Sequence, residues 1–194
     1  MWTEEDEEKF NDTKVINLLT REKRSVMGNF EEGILIREKP VQFVRKKLFG
    51  EKLEIYLPQE EGNKSDMGAK AFYPSDMGEF EEIVTKDGKY IIVPECISMG
   101  DDLDIEIFIE EMCDDINEKY EDTKFKKIRD YNENERNIKV LYGVAEQEEQ
   151  MLCLIFVIRA DNKIYRIYFM SESSDYEPMI ILAYKIIENI SIKG

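Results

Sequence analysis

The chain has 194 residues, with 43 acidic, 27 basic and no histidine side chains, for a formal charge of −16. Without histidine it has no imidazole base, no Ser-His or Cys-His nucleophile pair and no histidine metal ligand. The acidic excess argues against a nucleic-acid partner, whose phosphates need Lys and Arg for neutralisation.

The composition is 42% hydrophobic and 36% charged, with ten Phe and ten Tyr. That suits one domain with a real core and a heavily charged surface, or one domain carrying an extension. Cys96, Cys113 and Cys153 are widely spaced and form no CxxC. Neither a disulfide framework nor a zinc site is expected, and no cofactor motif is present. Cys153, inside an apolar run, reads as a small buried hydrophobe. The start Met1-Trp2-Thr3-Glu4-Glu5-Asp6 shows no signal-peptide pattern. The longest apolar run, Met151 to Ile158, is too short for a membrane span. A cytoplasmic chain without a membrane span is the expectation.

Residues 1–29 are charged, with Phe10, Val15, Ile16, Leu18 and Leu19 at loosely helical spacing. They read as a partly helical extension, and residues 30–194 as a single domain. Ile34 to Ile36 and Val41 to Val44 are strand-like and flank Pro40, which marks an edge. Lys52 to Leu57 alternates, with Leu53, Ile55 and Leu57 on one side. Residues 59–79 are polar and Gly-rich, a long loop containing Tyr73-Pro74-Ser75. Asp87-Gly88, between Glu82–Val84 and Tyr90–Val93, predicts a hairpin.

Asp101 and Asp102 read as the start of a helix running to about Tyr120. Its apolar stripe is Ile105, Phe108, Ile109, Met112, Ile116 and Tyr120. Three strands follow at 137–144, 151–160 and 163–170, the second apolar on both faces and therefore central. Ser173-Ser174-Asp175 reads as the cap of a last helix reaching about Ile190, with Pro178 in its first turn. The sum is α+β: a mainly antiparallel twisted sheet covered by helices.

The words Gly33-Ile34-Leu35-Ile36-Arg37, Val41 to Phe49 and Leu53 to Pro58, with Tyr73-Pro74-Ser75 and the helix–meander–helix ending, resemble uncharacterised Firmicutes proteins. The order of elements over residues 30–194 is similar to the PsbP-like α/β/α sandwich. That fold is shared by a photosystem II extrinsic subunit, a yeast Ran-binding import factor and bacterial DcrB-type proteins. The resemblance implies binding or assembly in place of catalysis, and it assigns no functional residue.

One helix face concentrates charge. Glu106, Glu110 and Asp114 follow i, i+4 spacing, with Glu111, Asp115 and Glu118 beside them. Each like-charge pair costs roughly 0.2–0.5 kcal/mol. Such a face is either simply solvated or recruits a basic partner. A basic stretch, Arg37, Lys39, Arg45, Lys46 and Lys47, runs against the overall charge. It reads as edge protection, or as a match for an acidic partner or the chain's own acidic helix. Asp130-Tyr131-Asn132-Glu133-Asn134 opens like a calcium loop but has Glu135 where glycine is needed and Leu141 where the bidentate glutamate belongs. The Asp102-x-Asp104-x-Glu106 run fails in the same way, with Ile107 at the glycine position.

The reading is therefore a non-catalytic protein-binding domain, an adaptor, chaperone or immunity-type factor. Its contact residues are Glu106, Glu110, Glu111, Asp114, Asp115 and Glu118, together with Tyr73, Pro74 and Ser75, and its partner is a basic or apolar protein. The alternative is a carboxylate-dependent hydrolase using buried Asp or Glu, with a loosely bound divalent cation.

Overall fold

In the computed structural model, the apolar run 151–158 becomes the strand at the centre of a sheet, with its two sets of side chains in two separate cores. Leu152, Leu154, Phe156 and Ile158 enter one core, while Met151, Cys153, Ile155 and Val157 enter the other. A strand apolar at every position needs this double cover. The structure describes residues 3–20, 25–62, 69–100, 104–133, 136–146 and 150–193.

In chain order the elements are α1 (Glu4–Lys9), α2 (Asp12–Thr20), β1 (Val26–Asn29), β2 (Gly33–Ile36), β3 (Lys39–Val41), β4 (Phe43–Leu48) and β5 (Leu53–Pro58). A 3₁₀ turn at Ala69–Phe72 precedes β6 (Glu79–Phe80), β7 (Ile83–Val84), β8 (Ile91–Ser98) and α3 (Ile105–Lys119). The long strands β9 (Thr123–Glu133), β10 (Arg136–Ala145), β11 (Met151–Ala160) and β12 (Lys163–Glu172) follow. A 3₁₀ turn at Ser173–Asp175, α4 (Tyr176–Glu188) and β13 (Ser191–Ile192) complete it.

The main sheet has the order β6-β8-β12-β11-β10-β9, with β7 also paired to β8, and every pairing is antiparallel. Pro94 lies where β8 passes from β7 (paired at Ile91–Ile92) to β6 (paired at Glu95–Cys96). Its missing N–H therefore falls in the gap between two partners. Two small sheets, β1-β2-β3 and β13-β5-β4, feed the core that α4 covers. Helix α3 covers the opposite face through Phe108, Ile109, Met112, Cys113 and Ile116.

The N-terminal helices join the α4 core. Phe10, Val15 and Leu18 are buried in it, and the Phe10 ring lies 4.2 Å from that of Tyr142. Glycines 28 and 33 take positive φ around the β1–β2 hairpin, at 89° and 111°. Leu53, Ile55 and Leu57 are fully buried on β5, as their alternation predicts. The β3 strand carries Pro40 at a sheet edge, also as expected.

Three expectations need correction. Helix α3 is capped by Asp104, whose carboxylate accepts from Glu106 N–H at 2.8 Å, and the predicted start at Asp101–Asp102 lies outside the described residues. Residues 123–133 form a full strand that their density of lysine and arginine concealed. Asp130 to Glu133, which read as a polar connection once the calcium loop failed, thus lie in a strand, and Asp130 pairs with Lys139 at 3.0 Å. The Asp175 carboxylate makes no cap bond to α4. It is drawn off to Arg37 at 2.8 Å and Lys89 at 3.0 Å, two cations against one buried acid.

The basic stretch meets acids of its own neighbourhood, not those of α3. Arg37 reaches Asp175, Arg45 reaches Glu54, Lys46 reaches Glu61 and Lys47 reaches Glu51.

Candidate partner-binding site

The 3.6-residue period of α3 separates a buried apolar stripe from a carboxylate face. Two of the six acids on that face are engaged: Glu106 pairs with the buried Lys139, and Asp115 takes Ser75. Glu110, Glu111, Asp114 and Glu118 have no cation partner among the described residues.

The loop after the Ala69–Phe72 turn is fastened to this helix. The Asp115 carboxylate accepts from Ser75 N–H at 2.6 Å and from Ser75 Oγ–H at 2.9 Å. Lys119 Nζ donates to the Tyr73 carbonyl at 3.4 Å. Tyr73 and Pro74 are buried, and the Tyr73 hydroxyl donates to Glu82 at 2.8 Å. Burial, reinforced by Glu82, pushes that hydroxyl well above its ordinary range, so it stays a donor. Structure thus brings together the two segments picked out separately in the sequence, Tyr73–Ser75 and the acidic helix.

Below them is a network that sequence reasoning missed. Glu95 on β8 and Arg166 on β12 are register partners, both fully buried. The guanidinium meets the carboxylate through two hydrogen bonds, Nε to Oε2 at 2.6 Å and Nη2 to Oε1 at 2.8 Å. Tyr168 O–H donates to Oε2 at 3.2 Å and Gly78 N–H to Oε1 at 2.6 Å. Gly78 is required by close approach, because a Cβ there would sit 2.4 Å from the Cys96 carbonyl oxygen. The residues between Ser75 and Gly78 are therefore pinned at both ends, to α3 and to the sheet. The sequence signal was an acid and a base, each interrupting an apolar run, Glu95 within 91–97 and Arg166 within 164–170.

Between loop and helix is a cavity of about 180 Å³ lined by Ser75, Asp76, Phe108, Glu111, Met112 and Asp115. Larger hollows lie elsewhere. One of about 660 Å³ is bounded mainly by polar residues of α1 and α2 against Tyr176. One of about 430 Å³ lies between Pro40, Gln42, Gln59 and Thr85, where Lys39 and Lys86 are balanced by Glu60 and Asp87.

The buried acids do not converge. Both Glu95 oxygens are taken by Arg166, Tyr168 and Gly78, whereas Asp175 belongs to a separate cluster with Arg37 and Lys89. Among the described residues no group of three Cys, Asp or Glu side chains is placed to hold a metal ion. The three thiols are buried and free, and burial pushes that of Cys113 up to about 12. No described helix is long and apolar enough to cross a membrane.

No protein-family model and no curated protein sequence matches the chain. Its backbone, however, is similar to solved structures. Cyanobacterial PsbP from Synechocystis sp. PCC 6803 superposes with a TM-score of 0.58 at 10% identity, over 78% of this chain and 92% of that one. The protein of unknown function PA94 from Pseudomonas aeruginosa gives 0.52 at 8% identity, over 79% of this chain and 98% of that one. The fold is PsbP-like, α+β with antiparallel sheets, as the order of elements implied. At these identities the likeness speaks for fold alone.

Proposed function

We propose that this chain is a non-catalytic protein-binding domain that engages a basic partner through the solvent face of α3 and the adjoining exposed Ser75, with Tyr73 and Pro74 buried beneath it as support. One observation carries the reading: the Ser75–Asp115 contact anchors a shaped loop beside Glu110, Glu111, Asp114 and Glu118, which have no cation partner among the described residues. A rigid loop next to uncompensated charge is a surface organised for an external cation-rich contact. The hydrolase alternative needs two buried carboxylates in one cleft, and among the described residues the buried Glu95 and Asp175 lie in separate clusters. Adaptor, chaperone and immunity-type roles all fit such a surface.

The test uses the native partner recovered by crosslinking at the α3 face. Its affinity falls steeply with added salt, and Glu110→Lys/Asp114→Lys/Glu118→Lys abolishes binding while the circular dichroism spectrum is retained. Binding that ignores both salt and charge reversal overturns the proposal.

A further inference from the structure

The cavity between the Ser75 loop and α3 has a divided lining. Its floor is apolar, made by Phe108 and Met112, and its rim carries the carboxylates of Asp76, Glu111 and Asp115. Asp115 is committed to Ser75, Asp76 is 65% exposed, and Glu111 is exposed with no cation partner among the described residues. At about 180 Å³ the space admits one side chain, not a helix or a cofactor.

Behind the floor is a buried positive charge. The Arg166 guanidinium lies 5.4 Å from the Phe108 ring centre, and its Nη2 is 3.9 Å from Asp76. Its Nη1 is buried and has no hydrogen-bond partner. A bare cation seated on the floor would face this charge through the ring. A ligand with hydrocarbon against Phe108 and Met112 and its cation out at the rim, chiefly on Glu111, keeps that cation off the floor, while Asp76 already faces Arg166 at 3.9 Å. That is the shape of a long basic side chain.

Resting on the partner-binding reading above, we infer that this cavity is the anchor pocket for one lysine side chain of the partner polypeptide. Its alkyl stem packs on Phe108 and Met112, and its ammonium is held by Asp76 and Glu111. Glu110, Asp114 and Glu118 then supply the general attraction, and the pocket supplies the register.

The test compares two peptide probes by calorimetric titration of the full chain at about 50 mM salt, where screening is weak. One is an octamer of lysine, and the other an octamer of 2,4-diaminobutyrate, with equal charge and a stem shorter by two methylenes. The lysine peptide binds about ten-fold more tightly, as the burial of two further methylenes requires. In Asp76→Asn/Glu111→Gln the two peptides bind within about two-fold of each other, whereas Glu110→Gln/Asp114→Asn/Glu118→Gln weakens both alike. Equal affinity of the native chain for the two peptides overturns the pocket but leaves the charged face standing. Failure to bind either peptide overturns both.

Discussion

Arg166 and Glu95 face each other across β12 and β8 with no exposed surface on either, joined by two hydrogen bonds of 2.6 and 2.8 Å. Desolvating such a pair costs about as much as its attraction returns, so its net contribution to stability is small. Its consequence is positional. The carboxylate also holds Gly78 N–H, which fixes the strand-ward end of the loop carrying Ser75. The candidate binding surface is thus built outward from a buried charge pair.

Breaking that pair from one side is costly. Glu95→Gln leaves Arg166 as a buried cation without its counter-charge, and the expected loss is about 3–5 kcal/mol in urea unfolding. Replacing both partners with apolar residues, as in Glu95→Leu/Arg166→Met, restores most of this loss. A single variant as stable as the parent would show that the pair is not buried in solution.

Gly143 on β10 sets a second constraint. A Cβ built there would lie 2.1 Å from the ring of Phe125, which is 4% exposed and packs edge-on against Phe72. Gly143→Ala is expected to cost about 1–3 kcal/mol through overpacking. Phe125→Leu removes the obstructing ring atoms, so the double variant is more stable than the two single losses added together. Thermal unfolding of the four proteins measures the coupling, and strict additivity would disprove the contact.

Much of this architecture was legible from hydrophobic period. The 151–158 run announced a doubly covered central strand, and the Phe108–Ile116 stripe announced a helix on a sheet. Strand β9 was hidden because the sequence of 123–133 is dense in lysine and arginine and shows no apolar alternation, which a strand at a sheet edge does not need. The cap expected at Asp175 failed for another reason. Arg37 and Lys89 come from distant turns, and only the folded chain brings them to one carboxylate. The candidate site was legible in its parts, Tyr73–Ser75 and the α3 acids, but not in their union. That union depends on the Ser75–Asp115 and Gly78–Glu95 bonds, which span 40 and 17 residues.

The Ser75–Asp115 contact is local, and its removal has a local signature. Asp115→Ala frees Ser75 N–H and Oγ at a partly exposed position, so global stability changes by less than about 1 kcal/mol. Hydrogen exchange at the Ser75 amide accelerates by about ten-fold or more, while amides in β11 keep their protection. Unchanged exchange at Ser75 would show that the loop is held by something other than Asp115.

High pH strips stability from this fold through its buried thiols and tyrosine hydroxyls, Cys113 and Tyr165 among them. Burial raises the Cys113 thiol from its ordinary 9.0 to about 12. Burial, reinforced by the neighbouring Cys96, raises the Tyr165 hydroxyl from 10.0 to about 12. Both groups are neutral when protonated, so the folded state holds its protons more tightly than the unfolded chain. Below about pH 9 both states are protonated and their contribution is fully present. Between about pH 9 and 12 the unfolded chain loses protons first, and stability falls as pH rises. Urea midpoints measured at about pH 8, 9.5 and 11 therefore decline with unchanged slope. Cys113→Ala flattens the decline from its onset, and Tyr165→Phe flattens it only above about pH 10, which separates both from lysine titration. Variants whose midpoints fall in parallel with the parent would show that neither group is shielded from water.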